Sequence, residues 1–191
     1  MSRLIAPLLA ALLPLPALAD PFDAGTARDL LFARDEVEVL RFDMASLSEQ
    51  EITVLTTVAM SQKYYAAIGF APDAGIMAEP TVMAANHHSP EAARTAALDA
   101  CNERRGDTGA DCVIALEVRP AGWEERALML SADATTAFED QYRREGGARA
   151  FAVSPSTGQW GIALGDAAAE GAVTACTGDS AVSDCVVVIA D

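Results

Sequence analysis

Four cysteines and two histidines are the residues of this 191-residue chain best suited to chemistry. Cys101, Cys112, Cys176 and Cys185 form an even set, and His87 and His88 are adjacent in Asn86-His87-His88-Ser89. An adjacent imidazole pair offers a general base, or a metal pair completed by Glu79 or Glu91. The same stretch also reads as a polar loop leading into a helix, because no further histidine or obvious third ligand accompanies it. The cysteines show no C-x-x-C spacing and stand apart from the histidines, which argues against a zinc cage. No G-x-S-x-G, H-E-x-x-H or Walker sequence occurs. Ser154-Pro155-Ser156 presents hydroxyls, but serines beside a proline more often form turns. Trp123 could anchor a partner, although its type favours the core. The weak candidate site is therefore His87, His88 and Glu91, with no catalytic residue, metal or cofactor assigned.

The frame that must hold these residues is written twice. Ala67-Ile-Gly-Phe-Ala-Pro-Asp-Ala-Gly75 resembles Ala150-Phe-Ala-Val-Ser-Pro-Ser-Thr-Gly158. Each stretch leads to an alanine-rich run ending in cysteine, at Cys101 and Cys176. A short polar loop and an Asp-Cys pair follow each run, Asp111-Cys112 and Asp184-Cys185, and each pair opens an apolar strand. These features in one order, twice, indicate an internal duplication. In each unit a strand enters a turn set by proline and a glycine that accepts positive φ, and the chain reverses into a hairpin. A helix follows. In the first unit Ser89 is the expected N-cap, Pro90 the first helical residue and Glu91 the complement to the helix dipole. Ala93, Ala96, Ala97, Ala100 and Cys101 fall on one stripe of small residues. In the second unit Asp166 is the expected cap, and Ala168, Ala172, Ala175 and Cys176 form the equivalent stripe.

Upstream, Val37–Asp43 and Arg126–Ser131 read as strands. Each precedes a helical pattern, the first from the Ser48/Glu51 capping-box spacing to about Gln62 and the second from Asp133 to about Glu145. A further short helix is expected over Asp23–Phe32. The fold class is α+β: duplicated βαββαβ-like units, an order shared with ferredoxin-like folds, in which mainly antiparallel sheet carries alanine-rich helices. Periodicity leaves open whether the halves form one sheet or two. Four cysteines allow three pairings. Equivalent cysteines in equivalent units should pair alike, giving Cys101–Cys112 and Cys176–Cys185.

The first nineteen residues carry a positive start at Arg3, an apolar run from Leu4 to Leu18 and an Ala17-Leu18-Ala19 exit. That is the order of a secretory signal peptide cleaved after Ala19. Prolines at 7, 14 and 16 make a retained spanning helix costly. The expected organisation is a leader over 1–19, a first unit with its N-terminal extension over 20–118 and a second unit over 119–191. The product is expected in the periplasm or secreted, where an even cysteine set forms disulfides. Acidic residues outnumber basic ones by 28 to 13, for a net charge of −15. A surface that negative repels phosphate backbones and anionic lipid heads, so no nucleic-acid partner and no membrane partner after leader cleavage is expected.

The repeated stretches resemble a family of secreted bacterial repeats known as domain of unknown function 4189. The resemblance rests on Phe151–Gly161, with its Ser-Pro-x-x-Gly hairpin and Trp160-Gly161, and on the cysteine-ended alanine-rich helix and Asp-Cys-valine strand. It is weaker in the first unit, where Met77 and Ala78 replace the tryptophan-glycine pair. It implies fold, disulfides and export, and adds no activity. Proteins similar to these sometimes carry a 5-aminolevulinate synthase label. Such an enzyme needs pyridoxal phosphate on a lysine in a large cytoplasmic fold. The only lysine here is Lys63, and no glycine-rich phosphate cradle accompanies it.

Two function classes follow. The first is an exported, disulfide-stapled binding or interaction protein with a protein or small-molecule partner. The second is a small periplasmic hydrolase or metal-dependent enzyme using the His87/His88 loop. A cleft joining that loop to carboxylates would favour the second.

Overall fold

The structure is a computed structural model and describes residues 20–42, 46–107 and 109–191. The expected leader over 1–19 lies outside the described residues. The chain is mixed α and β, with helices packed on two antiparallel sheets.

The N-terminal extension forms α1 (Ala24–Leu30), shorter than expected, capped by the Asp23 carboxylate on the Gly25 and Thr26 amides. The first unit then runs β1 (Val37–Arg41), α2 (Glu49–Met60), β2 (Ala66–Phe70), β3 (Val82–Ala84), α3 (Pro90–Arg105) and β4 (Val113–Pro120). This is the expected βαββαβ order. Its sheet is ordered β1-β4-β2-β3. The capping box at α2 forms, with the Glu51 carboxylate accepting from the Ser48 amide at 2.8 Å. The helix ends at Met60, a little before the expected stop. Ser89 caps α3 through the Ala92 amide at 3.1 Å, with Pro90 at its start, but the helix does not end at Cys101 as expected: it runs on to Arg105, and Gly106 follows with positive φ.

The second unit runs α4 (Ala132–Asp140), β5 (Arg149–Val153), β6 (Trp160–Leu164), α5 (Ala168–Thr177) and β7 (Val186–Ala190), in a separate sheet ordered β6-β5-β7. Three expectations need correction here. Arg126–Ser131 forms no strand and joins no ladder among the described residues. Arg126 is drawn instead to the Leu30 and Leu31 carbonyls at 3.0 and 3.2 Å and to the Phe32 ring, while Leu128 and Leu130 are buried. The helix expected to Glu145 stops at Asp140 and continues as a 3-10 turn over Tyr142–Arg144. Asp166 caps nothing: α5 begins after Ala167 with no side-chain cap.

Alternation along the strands explains the layering. In the first sheet Ile68 and Phe70 face Leu55 and Ala59 of α2, while Ala67 and Gly69 face Ala93 and Ala97 of α3. In the second, Phe151 and Val153 meet Phe138 of α4, while Ala150 and Ala152 meet Ala168 and Ala172 of α5. Each sheet thus lies between two helices. The small-residue stripe is needed for close approach. A Cβ on Gly161 of β6 would sit 2.4 Å from the Ala172 carbonyl oxygen of α5. Ala93, Ala97 and Cys101 are buried on α3, as are Ala168, Ala172 and Cys176 on α5; Ala175 is exposed.

The units agree in detail. The β2–β4 ladder slips between Ile68 and Gly69, and the β5–β7 ladder slips between Phe151 and Ala152, the aligned positions. The disulfides are Cys101–Cys112 and Cys176–Cys185, each with Cα atoms 6.1 Å apart, so the within-unit pairing is the one formed. At the outer edge of β4 stands β1, antiparallel. Among the described residues, the equivalent edge of β7 carries Phe22 in a parallel bridge to Ile189.

Candidate functional site

The His87/His88 loop lies where the two units meet. Asn86, which enters it, has φ of 63° and uses its side-chain carbonyl to accept from the Asp133 amide at 3.1 Å. Its backbone oxygen rests against Gly158, where a Cβ would sit only 2.0 Å away. Gly158 is therefore required for close approach. The positive φ expected at both aligned glycines occurs at Gly75 but not at Gly158, which is glycine for space rather than for backbone conformation.

His88 is 3% exposed, and both ring nitrogens are engaged. Nδ1 accepts from the Ser131 amide at 3.0 Å, and Nε2 lies 2.9 Å from the Gln159 carbonyl. An amide can only donate, so Nδ1 carries no proton and the Nε2–H donates to Gln159. Burial pushes the His88 pKa down to about 4; the Gln159 carbonyl opposes this, His87 adds to it and Asp184 opposes it. His88 is thus a neutral cross-link from the loop to the start of α4 and to the β5–β6 turn of the second unit.

His87 is half-buried, and its Nδ1 is enclosed without a hydrogen-bond partner. Burial lowers its pKa, with the Ser156 backbone working against the shift. Glu91 is turned to Arg94 at 2.6 Å, and Glu79 is exposed. The structure therefore breaks up the sequence-derived trio: His88 is consumed, and Glu91 is an ion-pair partner within α3. Among the described residues no group of three His, Cys, Asp or Glu side chains is placed to hold a metal ion.

The Ser154-Pro155-Ser156 turn is held by Asp184. The buried Ser154 hydroxyl donates to one Asp184 oxygen at 2.6 Å, and the Ser156 amide donates to the other at 3.0 Å. Burial works to raise the Asp184 pKa, but these hydrogen bonds prevail and lower it. The Ser154 proton thus goes to a turn clamp, not to a base. Sequence reading also missed a buried carboxylate. Glu117 of β4 is 1% exposed and pairs with Arg94, with Arg119 at 3.8 Å. Arg119 also binds Glu38 at 2.7 Å and lies over the Trp123 ring at 4.9 Å. Trp123 is packed beside this cluster, with its Nε1 enclosed.

Among the described residues, two apolar grooves lie at corresponding places in the two units. One, of about 550 Å³, lies beside Cys185 and Val186–Val188, with Phe22 and Val173 at its walls. The other, of about 560 Å³, lies beside Cys112, Val113 and Ile114, with Phe42 and Leu98 at its walls. Val173 and Leu98 each precede the disulfide cysteine of their helix by three residues. The Phe22 amide donates to the Val188 carbonyl at 2.9 Å, and the Phe42 amide to the Ala115 carbonyl at 3.0 Å, the aligned bulge position. A cysteine followed at once by half-exposed valines was the available sequence signal; the partnering phenylalanines lie too far away in sequence to be seen.

No family model matches the chain, and no similar curated protein or solved structure was found. No helix among the described residues is long and apolar enough to cross a membrane.

Proposed function

We propose that this chain is an exported, disulfide-stapled binding or interaction protein. The observation that carries the reading is the pair of equivalent apolar grooves, each beside a disulfide and walled by a phenylalanine from the covering segment. Volumes of this size fall within the range of about 300–1,000 Å³ typical of binding pockets. The hydrolase or metal-enzyme alternative finds little support, because His88 has no free nitrogen and Glu91 faces Arg94. Two disulfides fit an oxidising compartment, in keeping with cleavage after Ala19 and release to the periplasm or beyond. Membership of the domain of unknown function 4189 repeats is part of the same proposal.

The test is partner capture from an exported fraction, with the wild type compared with Val173→Lys and Leu98→Lys combined, which fill both grooves. Loss of a specific partner in the variant is expected. Identical recovery by both proteins would contradict the reading.

A further inference from the structure

All four cysteines of the chain are joined in disulfides, so its only reduced sulfur is in methionine. The described residues place that sulfur unevenly. Met77 is 90% exposed and Met60 is 64% exposed. Met83 and Met129 are half-buried and packed against core clusters. Met77 stands in the turn between β2 and β3, beside the buried Ile76. The aligned position of the second unit is Trp160, which stacks on Phe151 with ring centroids 5.7 Å apart. The first unit therefore sends an apolar side chain into solvent at a place where its twin packs one. Met60 is the last residue of α2, roughly 17 Å along the axis from Glu49 and the segment that leads into the helix.

We propose that Met77 and Met60 are modification sites, at which a two-electron oxidant of the peroxide or hypohalous acid class converts the thioether to the sulfoxide. The sulfur gives its electron pair to the oxidant's oxygen, and an S–O bond forms. With hydrogen peroxide the O–O bond breaks and water leaves, so the sulfur loses two electrons and the peroxide gains two. Access decides which thioether reacts, because the oxidant must reach the sulfur. The product is a polar side chain, which disrupts a core but leaves packing intact where the methionine already stands in water. The modification thus changes the surface of the first unit and keeps its fold. The second unit has no counterpart: Met129 is the one methionine after residue 118, and it is half-buried. The duplicated frame therefore carries one unit that records oxidant and one that does not. The inference is independent of what the grooves bind.

The experiment exposes the purified mature protein, disulfides intact, to a graded series of hydrogen peroxide concentrations and follows each methionine by peptide mapping with mass spectrometry. Met77 and Met60 are expected to gain one oxygen each, at least about fivefold faster than Met83 and Met129. In concentrated urea the four rates should converge, because unfolding removes the difference in access. Protein oxidised at Met77 and Met60 should keep its near-ultraviolet circular dichroism and its urea midpoint. Met77→Leu should take up one oxygen fewer in the early stage and leave the rate at Met60 unchanged. Oxidation of Met83 or Met129 as fast as Met77 in the folded protein would overturn the proposal. So would a rate order that persists in urea, which would place its cause in local sequence rather than in exposure. Loss of the circular dichroism signal on oxidation of Met77 and Met60 alone would overturn the claim that the fold is kept.

Discussion

His88 receives a hydrogen bond from the Ser131 amide and gives one to the Gln159 carbonyl, and a second proton on its ring would face the Ser131 N–H. Folded, the imidazole takes that proton near pH 4; unfolded, near its ordinary value of 6.5. Between those values the unfolded chain binds more protons. This contribution to stability is therefore complete above about pH 6.5 and falls, by roughly 3 kcal/mol, as pH drops to about 4. Urea unfolding across that range should show the decline, and His88→Ala should flatten it. At pH 7 the same variant should lose about 2–4 kcal/mol, since it leaves a cavity and an unpaired amide. His88 is thus expected to support folding stability, where its polar sequence surroundings read as a loop leading into a helix. Nothing local in Asn86-His87-His88-Ser89 reveals Ser131 or Gln159, which arrive from 43 and 71 residues away. Gly158 is the other residue at this junction. Gly158→Ala should cost about 1–3 kcal/mol in a denaturant melt by pushing Asn86 away.

At the scale of elements, most of the frame was legible because its signals are local. The Ser48/Glu51 box and the Ser89-Pro90 start depend on neighbours in sequence, and the like pairing expected of equivalent cysteines anticipated the disulfides, whereas the helix expected to end at Cys101 runs on to Arg105. Arg126–Ser131 was misread because its alternation matches a strand, whereas its fate depends on where Arg126 and the buried leucines find partners. The Phe22 bridge occupies part of the edge such a strand would have taken. Asp166 failed as a cap because the chain turns into the helix only after Ala167. Closing loops with separations of 11 and 9 residues should contribute roughly 2.5–3 kcal/mol per disulfide in the chain-entropy estimate. Removal of either pair, as Cys101→Ala with Cys112→Ala or Cys176→Ala with Cys185→Ala, should lower stability by about that amount. The second unit, with its three-stranded sheet, should be the more sensitive one.

Across the whole molecule, His88 joins the two units, Asp184 holds a turn of the second and Glu117 pairs with Arg94 in the first, while apolar grooves flank the two return strands. The expected leader predicts a mature chain beginning at Asp20, and intact mass of exported material checks it; a product still beginning at Met1 would contradict export by this route. The grooves depend on widely separated parts, Phe22 with Val186–Val188 and Phe42 with Val113, so no window of sequence could show them. The imidazole at the junction is structural rather than catalytic, and its protonation tests this directly. Long-range proton–nitrogen correlation NMR of the folded protein, followed through a pH titration, reads its tautomer and pKa together. The account predicts an Nε2–H tautomer for His88 that stays neutral until about pH 4. A His88 that titrates near 6.5 in the folded protein, or one protonated on Nδ1 at neutral pH, would contradict it.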